Sequence, residues 1–320
     1  MAKVEIGYKL SSEDHGAMDL VRYARRAEEV GFSFALISDH YHPWTHRQGQ
    51  SPFVWCVIGA IAESTERLRL GTGVTCPTIR THPAIIAQAA ATATTMLPGR
   101  FFLGVGSGEN LNEHIFGDRW PPTPVRHAML EEAVALMRRL WGGGSHSHHG
   151  TYYTLENARV YTLPEQPPAI MMAASGANAA ELAGRIGEGL IATSPDRELV
   201  ETFTAMGSAK RPCYAELKVC WAESESEARR QAHTWWPNLG IPGELGQELP
   251  TPAHFEQAAS LVREDDVGEA LVGGPDPDRH VAGVQAFIEA GFDHICVHQV
   301  GPDQGGFFRF YEQEVLPRLR

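Results

Sequence analysis

The chain is short of positive charge. Its 320 residues carry 27 lysines and arginines against 39 aspartates and glutamates, a formal net charge of −12. Neutralising a phosphate backbone takes clustered cations, so nucleic acid is not an expected partner. Long apolar runs are also missing. No stretch approaches the about 18 uninterrupted apolar residues of a membrane-spanning helix, and no membrane partner is expected. The opening "MAKVEIGYKL" lacks the apolar run of a signal peptide. Cysteine is sparse: Cys56, Cys76, Cys213, Cys220 and Cys296 stand apart, with no CxxC pair. An odd number in apolar contexts reads as reduced thiols, and a cytoplasmic location is expected. GxSxG, HExxH and the Walker A pattern are absent, which removes three common catalytic signatures. "HSHHG" (146–150) has no cysteine or carboxylate neighbour, so a polar loop is expected there rather than a metal site.

What is present is a recurring strand followed by a helix. "VEIGYKL", "FALIS", "LRLGTGV", "RFFLGVG", "AIMMAA", "GLIAT", "AELKVCW" and "HICVH" each precede a helix-like segment. In the first helix Leu20, Tyr23, Ala24, Ala27 and Val30 share one face, and Gly31 ends it. The strands are near-continuously apolar, as a parallel sheet covered by helices requires. Eight such units predict an α/β fold, a single (β/α)8 TIM barrel over residues 1–320. Two segments exceed a bare barrel. Residues near 142–165 read as an inserted β-hairpin, and 237–276, with five prolines, as a long excursion before the eighth strand.

A barrel gathers its functional groups at the C-terminal ends of the strands. After the second strand, "SDHYHPW" supplies Asp39, His40 and Trp44. A histidine accepts a proton near neutral pH, and a tryptophan offers a flat apolar wall. His42 and His46 read as bystanders. After the third strand, Gly73 in "GTGVTCP" permits unusual backbone geometry beside a ligand. After the fourth, "GVGSGENLNE" places Glu109 and Asn112 behind Gly104, Gly106, Ser107 and Gly108. A carboxyl group there could be kept protonated by burial. Glu113 reads instead as a solvated helix start. After the fifth strand, "AASGANAAELAG" puts Ser175, Gly176 and Ala177 at a helix N-terminus, a natural phosphate seat. Thr193 follows the sixth strand, and His298 and Gln299 belong to the eighth without a specific signal. Met171-Met172 and Trp235-Trp236 read as packing residues.

Together these strand ends resemble the luciferase-like oxidoreductase superfamily, and within it the group around deazaflavin-dependent glucose-6-phosphate dehydrogenase. The resemblance rests on "SDH" with a tryptophan four residues after the histidine, on "GxGxGExLNE", and on segments from "IGYKLS" to "PDQGGFFRFYEQEVLPRLR", nearly the whole chain. It implies coenzyme F420 as cofactor and a homodimer. The residue matching His40 takes the proton from a substrate hydroxyl, the one matching Trp44 helps hold the reacting group, and the one matching Glu109 gives a proton to the ring. Asp39 and Asn112 match cofactor contacts, Gly73-Val74 a non-proline cis peptide against the ring, and Ser175-Gly176 the pair that receives the cofactor phosphate. Ser175 stands for a glycine and Cys76 for a threonine of the group.

The substrate end departs from the group's pattern. Asp196 in "TSPDRE" and Gln257 in "FEQAAS" stand where lysines bind the sugar phosphate, leaving Arg197 and Arg279 as candidate replacements beside Thr193. Lost donors and a gained carboxylate disfavour a phosphate dianion. The expected substrate is therefore an alcohol or carbonyl other than glucose 6-phosphate. The alternatives are an F420-dependent sugar-6-phosphate dehydrogenase and an FMN-dependent luciferase-like monooxygenase.

Overall fold

The protein was analysed as a computed structural model describing residues 4–207 and 210–319. Its strands in chain order are β1 (Glu5–Leu10), β2 (Phe34–Ile37), β3 (Arg69–Thr72), β4 (Phe101–Val105), β5 (His146–His149), β6 (Thr154–Ala158), β7 (Ile170–Ala173), β8 (Gly189–Ala192), β9 (Cys213–Cys220), β10 (Val272–Gly273) and β11 (His294–Gln299). Eight of them close a ring, β1-β2-β3-β4-β7-β8-β9-β11 and back to β1, with every neighbour parallel. These eight are the strands read from the sequence. Closure removes the open edges that a flat sheet would leave.

The strand sequences explain the two-layered core. In β2 all four residues are buried, yet alternate side chains point to opposite faces. Phe34 and Leu36 join Phe102, Met171, Ile191, Tyr214 and Cys296 in one cluster, while Ala35 and Ile37 join the larger core shared with the helices. Small residues make room for the large ones. A Cβ on Gly71 would lie 2.0 Å from the Phe102 ring, and one on Gly104 would lie 2.0 Å from the Thr72 carbonyl oxygen. Backbone yields less readily than a ring. Gly104→Ala is therefore expected to destabilise the barrel by about 1–3 kcal/mol, read as a lower urea midpoint.

Helices cover the outside. Ala17–Val30 buries Leu20, Ala24, Ala27 and Val30 and stops at Gly31, whose φ of 103° is the left-handed conformation glycine adopts without strain. Pro83 opens the helix Pro83–Met96, and the His82 side chain caps it by accepting from the Ala84 amide.

The two segments beyond the bare barrel each have a definite shape. Residues 142–165 contain the antiparallel pair β5–β6, so "HSHHG" is mostly strand rather than loop. Glu132, on the helix Thr123–Trp141, explains the position of this hairpin. Its carboxylate takes the amides of Thr151, Tyr152 and Tyr153 and pairs with His148. No group of three potential metal ligands occurs among the described residues. The stretch 237–276 forms a 3-10 turn (Pro237–Gly240), three short helices (Leu245–Glu248, Pro252–Ala259, Glu264–Glu269) and β10, and it brings Glu244 and Gln247 to the barrel mouth. Arg126 ties it down: this fully buried guanidinium donates to Glu248 and Gln247 and stacks on Trp120 at 4.3 Å. No helix among the described residues is long and apolar enough to cross a membrane.

Candidate active site

A cavity of about 790 Å³ opens at the C-terminal ends of the barrel strands. Its chemistry begins where β2 stops. Ser38, Asp39 and His40 leave the strand together, and Ser51 Oγ fixes the turn by donating to the His40 carbonyl at 2.6 Å. His40 Nε2 faces two carboxylates, Glu13 Oε1 at 3.3 Å and Glu109 Oε2 at 3.5 Å. Its Nδ1 lies 3.2 Å from both the His42 carbonyl and Asn112 Nδ2. Trp44 stands beside the imidazole, ring centroids 5.1 Å apart, and is itself braced edge-on by Phe255.

Asn112 organises this group. Its Oδ1 accepts from the amides of Tyr41 and His42, and its Nδ2 donates to Glu109 Oε2 at 3.1 Å. One side chain thus links the loop carrying His40 to the carboxyl of Glu109. Asp39 has both oxygens engaged, by Thr75 Oγ1 at 2.8 Å and Arg80 Nη2 at 3.0 Å. Arg80 also holds Glu113, through its backbone amide at 2.6 Å and its Nε at 3.5 Å. Glu113 is therefore not a solvated helix start: it is 1% exposed, because Arg80 makes a buried carboxylate tolerable.

The two carboxyl groups at His40 are shifted in opposite directions. Burial would raise Glu13, but the charges of His40 and Lys9 and a hydrogen bond from Ser38 hold it down at about 2. Glu109 is displaced the other way: burial raises it, and the Glu13 charge adds to the rise against the pull of His40. One environment shifts two carboxyl groups in opposite directions at the same imidazole nitrogen, the separation of roles that acid–base catalysis uses.

Asp14 gives a separate test. Burial, with the neighbouring Glu13 charge, lifts its carboxyl to about 8, while it accepts from Trp236 Nε1 at 2.8 Å and from Ser11 at 2.9 Å. A folded-state value above the unfolded one means the folded protein binds the extra proton. Stability from this group is complete below about 4 and is lost as pH rises toward 8, at up to about 1.4 kcal/mol per pH unit. Asp14→Asn is expected to flatten that slope in urea titrations run between pH 5 and 8.

The opposite wall is backbone. Gly73-Val74 is a cis peptide, as the resemblance implied. Gly73, Val74, Cys76, Gly106, Ser107, Ser175, Gly176 and Ala177 all line the cavity, and Cys76 Sγ lies 2.9 Å from Thr78 Oγ1. At Gly176 no side chain caps the ten-residue helix Ala177–Ile186, and a Cβ there would meet nothing within 4 Å. Uncapped first-turn amides facing an open cavity suit a phosphate group.

Most of the sequence-derived site residues meet here: Asp39, His40, Trp44, Glu109, Asn112 and the backbone wall, with Thr193 at the rim. Three do not. Arg197 is exposed at a helix start and donates to the Glu289 carbonyl. Gln257 is exposed on the helix Pro252–Ala259. Arg279 pairs with Glu225 at 2.9 Å. None of the three lines the cavity, nor does Asp196, which caps its own helix by accepting from Glu198. Arg197, Arg279 and Asp196 have each found a partner among the outer helices. The local departures that disfavoured a sugar phosphate therefore lie outside the cavity wall.

Other wall residues were missed. Glu13, Lys9, Glu216, Lys218 and Trp236 all line the cavity, Trp236 being at the same time the packing residue read from the sequence. The signal was present: Lys9 in "GYKL" and Glu216 and Lys218 in "AELKVC" are charges set inside apolar strands.

A closed, parallel eight-stranded barrel with ionisable side chains gathered in a cavity at its strand ends is the architecture of a barrel enzyme. The chain belongs to the luciferase-like monooxygenase family, whose model matches residues 2–294. Among curated proteins it is 38% identical to an F420-dependent glucose-6-phosphate dehydrogenase of Beutenbergia cavernae, over 99% of this chain and 98% of that one. It is 36% identical to a protein of the same name from Mycobacterium avium, over 100% and 99%. Among solved structures it is similar to an F420-dependent secondary alcohol dehydrogenase in complex with an F420-acetone adduct, with a TM-score of 0.92, 30% identity and 99% of both chains covered.

Proposed function

We propose that this protein is an F420-dependent dehydrogenase that oxidises the hydroxyl-bearing carbon of a sugar phosphate. The observation that carries the reading is the meeting of His40 Nε2 with two carboxyl groups shifted in opposite directions, Glu13 downward and Glu109 upward, in the cavity that the backbone seat also lines. The curated relatives named above favour the sugar-phosphate alternative over the expectation that glucose 6-phosphate is not the substrate.

The cavity residues fit F420. The amides following Gly176 would receive its phosphate, the Gly73-Val74 peptide would lie against its ring, and Gly106 and Ser107 would border it. When bound, this deazaflavin supplies a hydride acceptor. The chain's own residues do the rest. His40 Nε2 takes the hydroxyl proton, and the imidazolium so formed is stabilised by Glu13 at Nε2 and by the His42 carbonyl at Nδ1. Trp44 walls the reacting carbon from water. Glu109 holds the proton destined for the cofactor ring, oriented by Asn112.

A secondary alcohol is the second reading, favoured by the absence of the cations Arg197 and Arg279 from the cavity wall and by the structural neighbour that carries an acetone adduct. Parallel titrations with F420 and FMN, followed by tryptophan fluorescence, come first. Tight F420 and weak FMN binding is the expected result. Preference for FMN would support the monooxygenase alternative and overturn the dehydrogenase. Turnover of glucose 6-phosphate against 2-propanol then separates the two substrate readings.

A homodimer in the cytoplasm completes the proposal. All five cysteines are unpaired. Phe53, Ile85 and Met96, on the neighbouring helices Val54–Ser64 and Pro83–Met96 and their boundary, are 61%, 56% and 46% exposed, an apolar face suited to a second copy. Sedimentation is expected to give a dimer that Ile85→Glu shifts to monomer.

A further inference from the structure

The chain has four lysines, and two of them, Lys9 and Lys218, line the cavity. Both approach the carboxylate of Glu216, Lys9 Nζ at 2.9 Å from Oε2 and Lys218 Nζ at 3.1 Å from Oε1. Oε1 also meets His298 Nδ1 at 3.1 Å. An ammonium carries three protons. Lys9 uses one on Glu216 and another on the Gly73 carbonyl at 2.7 Å, and it is buried. Lys218 has Glu216 as its partner and no other among the described residues, and its side chain is 18% exposed. The cavity therefore holds a charge-assisted donor with protons to spare.

The adjacent strand supplies an acceptor. Lys218 on β9 stands in register with His298 on β11. Burial would raise Glu216, but Lys218, Lys9 and His298 hold it well below the usual carboxylate range. An ionised carboxylate only accepts, so His298 Nδ1 carries the proton and donates to it. Burial lowers the His298 imidazole, and the neutral ring leaves Nε2 as a lone pair. That atom is buried and has no partner among the described residues. Buried polar atoms without partners are uncommon, and one in a cavity wall points to a ligand.

We propose that Lys218, together with His298, determines specificity by hydrogen-bonding a second hydroxyl group of the substrate, away from the reacting carbon. This rests on the dehydrogenase reading and defines the substrate as a polyhydroxylated molecule, a sugar with or without a phosphate, rather than a monofunctional alcohol. A hydroxyl both accepts from Lys218 and donates to His298. A phosphate dianion only accepts, and here it would face the carboxylates of Glu216 and Glu13.

The test uses the F420-loaded full-length protein and the variants Lys218→Met and Lys218→Arg. It compares kcat/KM for glucose 6-phosphate, glucose and 2-propanol. Calorimetry measures binding of 1,5-anhydroglucitol, which keeps the sugar hydroxyls but lacks the one at the reacting carbon. Lys218→Met is expected to lower the sugar-to-propanol ratio by about ten-fold or more, mainly through KM, and to weaken 1,5-anhydroglucitol binding similarly. Lys218→Arg is expected to recover part of both. An equal loss for all three substrates would mean a structural role and overturn the proposal. An effect confined to glucose 6-phosphate would assign Lys218 to the phosphate and overturn the hydroxyl assignment. If the wild type prefers 2-propanol to both sugars, the substrate class fails while the dehydrogenase stands. Failure to bind F420 would instead sink the dehydrogenase reading, and the calorimetric comparison would still judge Lys218.

Discussion

His40→Ala lowers kcat by about 10²- to 10⁴-fold while leaving F420 affinity within a few-fold of the wild type. The magnitude follows from the role of the imidazole. An alcohol cannot release hydride until its hydroxyl proton has a destination, and the His40 imidazole, with the Glu13 carboxylate beside it, supplies one. Glu13, 3.3 Å from Nε2, stabilises the charged ring once it forms. Alanine removes the base and leaves Glu13 and Glu109 facing each other across the gap. The backbone seat at Gly176 and Gly73 belongs to other strand ends and stays intact. Rapid-mixing absorbance of the deazaflavin measures the hydride step, and fluorescence titration measures binding. A variant that binds F420 poorly but turns over normally once saturated would make His40 a cofactor contact and not a base. Glu13→Gln, which keeps the shape and removes the charge, should show a smaller drop in kcat.

The fold was legible because its signal is local and repeated. Each barrel strand is a short apolar run and each helix an amphipathic one, so pattern alone fixes the eight units. Gly31 and Pro83 mark boundaries by backbone chemistry that no tertiary contact overrides. The site was legible where it follows a strand end immediately, as at His40, Trp44, Glu109 and Gly176. It was not legible where the deciding fact is a partner distant in sequence. Glu113 looks solvated until Arg80, 33 residues earlier, is found on it. Arg279 looks like a phosphate ligand until Glu225 claims it. Charged residues within strands, such as Lys9 and Glu216, offered a readable clue: a lone charge on an apolar strand of a barrel has only the lumen or a cavity to occupy.

Glu109→Gln is expected to remove the alkaline limb of the pH–rate profile and to lower kcat by about 10²-fold or more. Burial keeps this carboxyl protonated to higher pH than an exposed glutamate, with Glu13 reinforcing the effect. The sign follows directly. The acid form exists below the raised value, so the proton Glu109 can give is available at low pH and is lost as pH rises through it. The wild-type rate is therefore expected to fall on the alkaline side, at an apparent value that belongs to the coupled site, since His40 lies 3.5 Å from Glu109. Glutamine keeps the hydrogen bond from Asn112 Nδ2 and the size of the side chain, so the pocket should hold its shape. It has no proton to give. With Glu109→Gln the fall in rate on the alkaline side should be gone. An alkaline limb that survives the substitution unchanged would place the acid elsewhere.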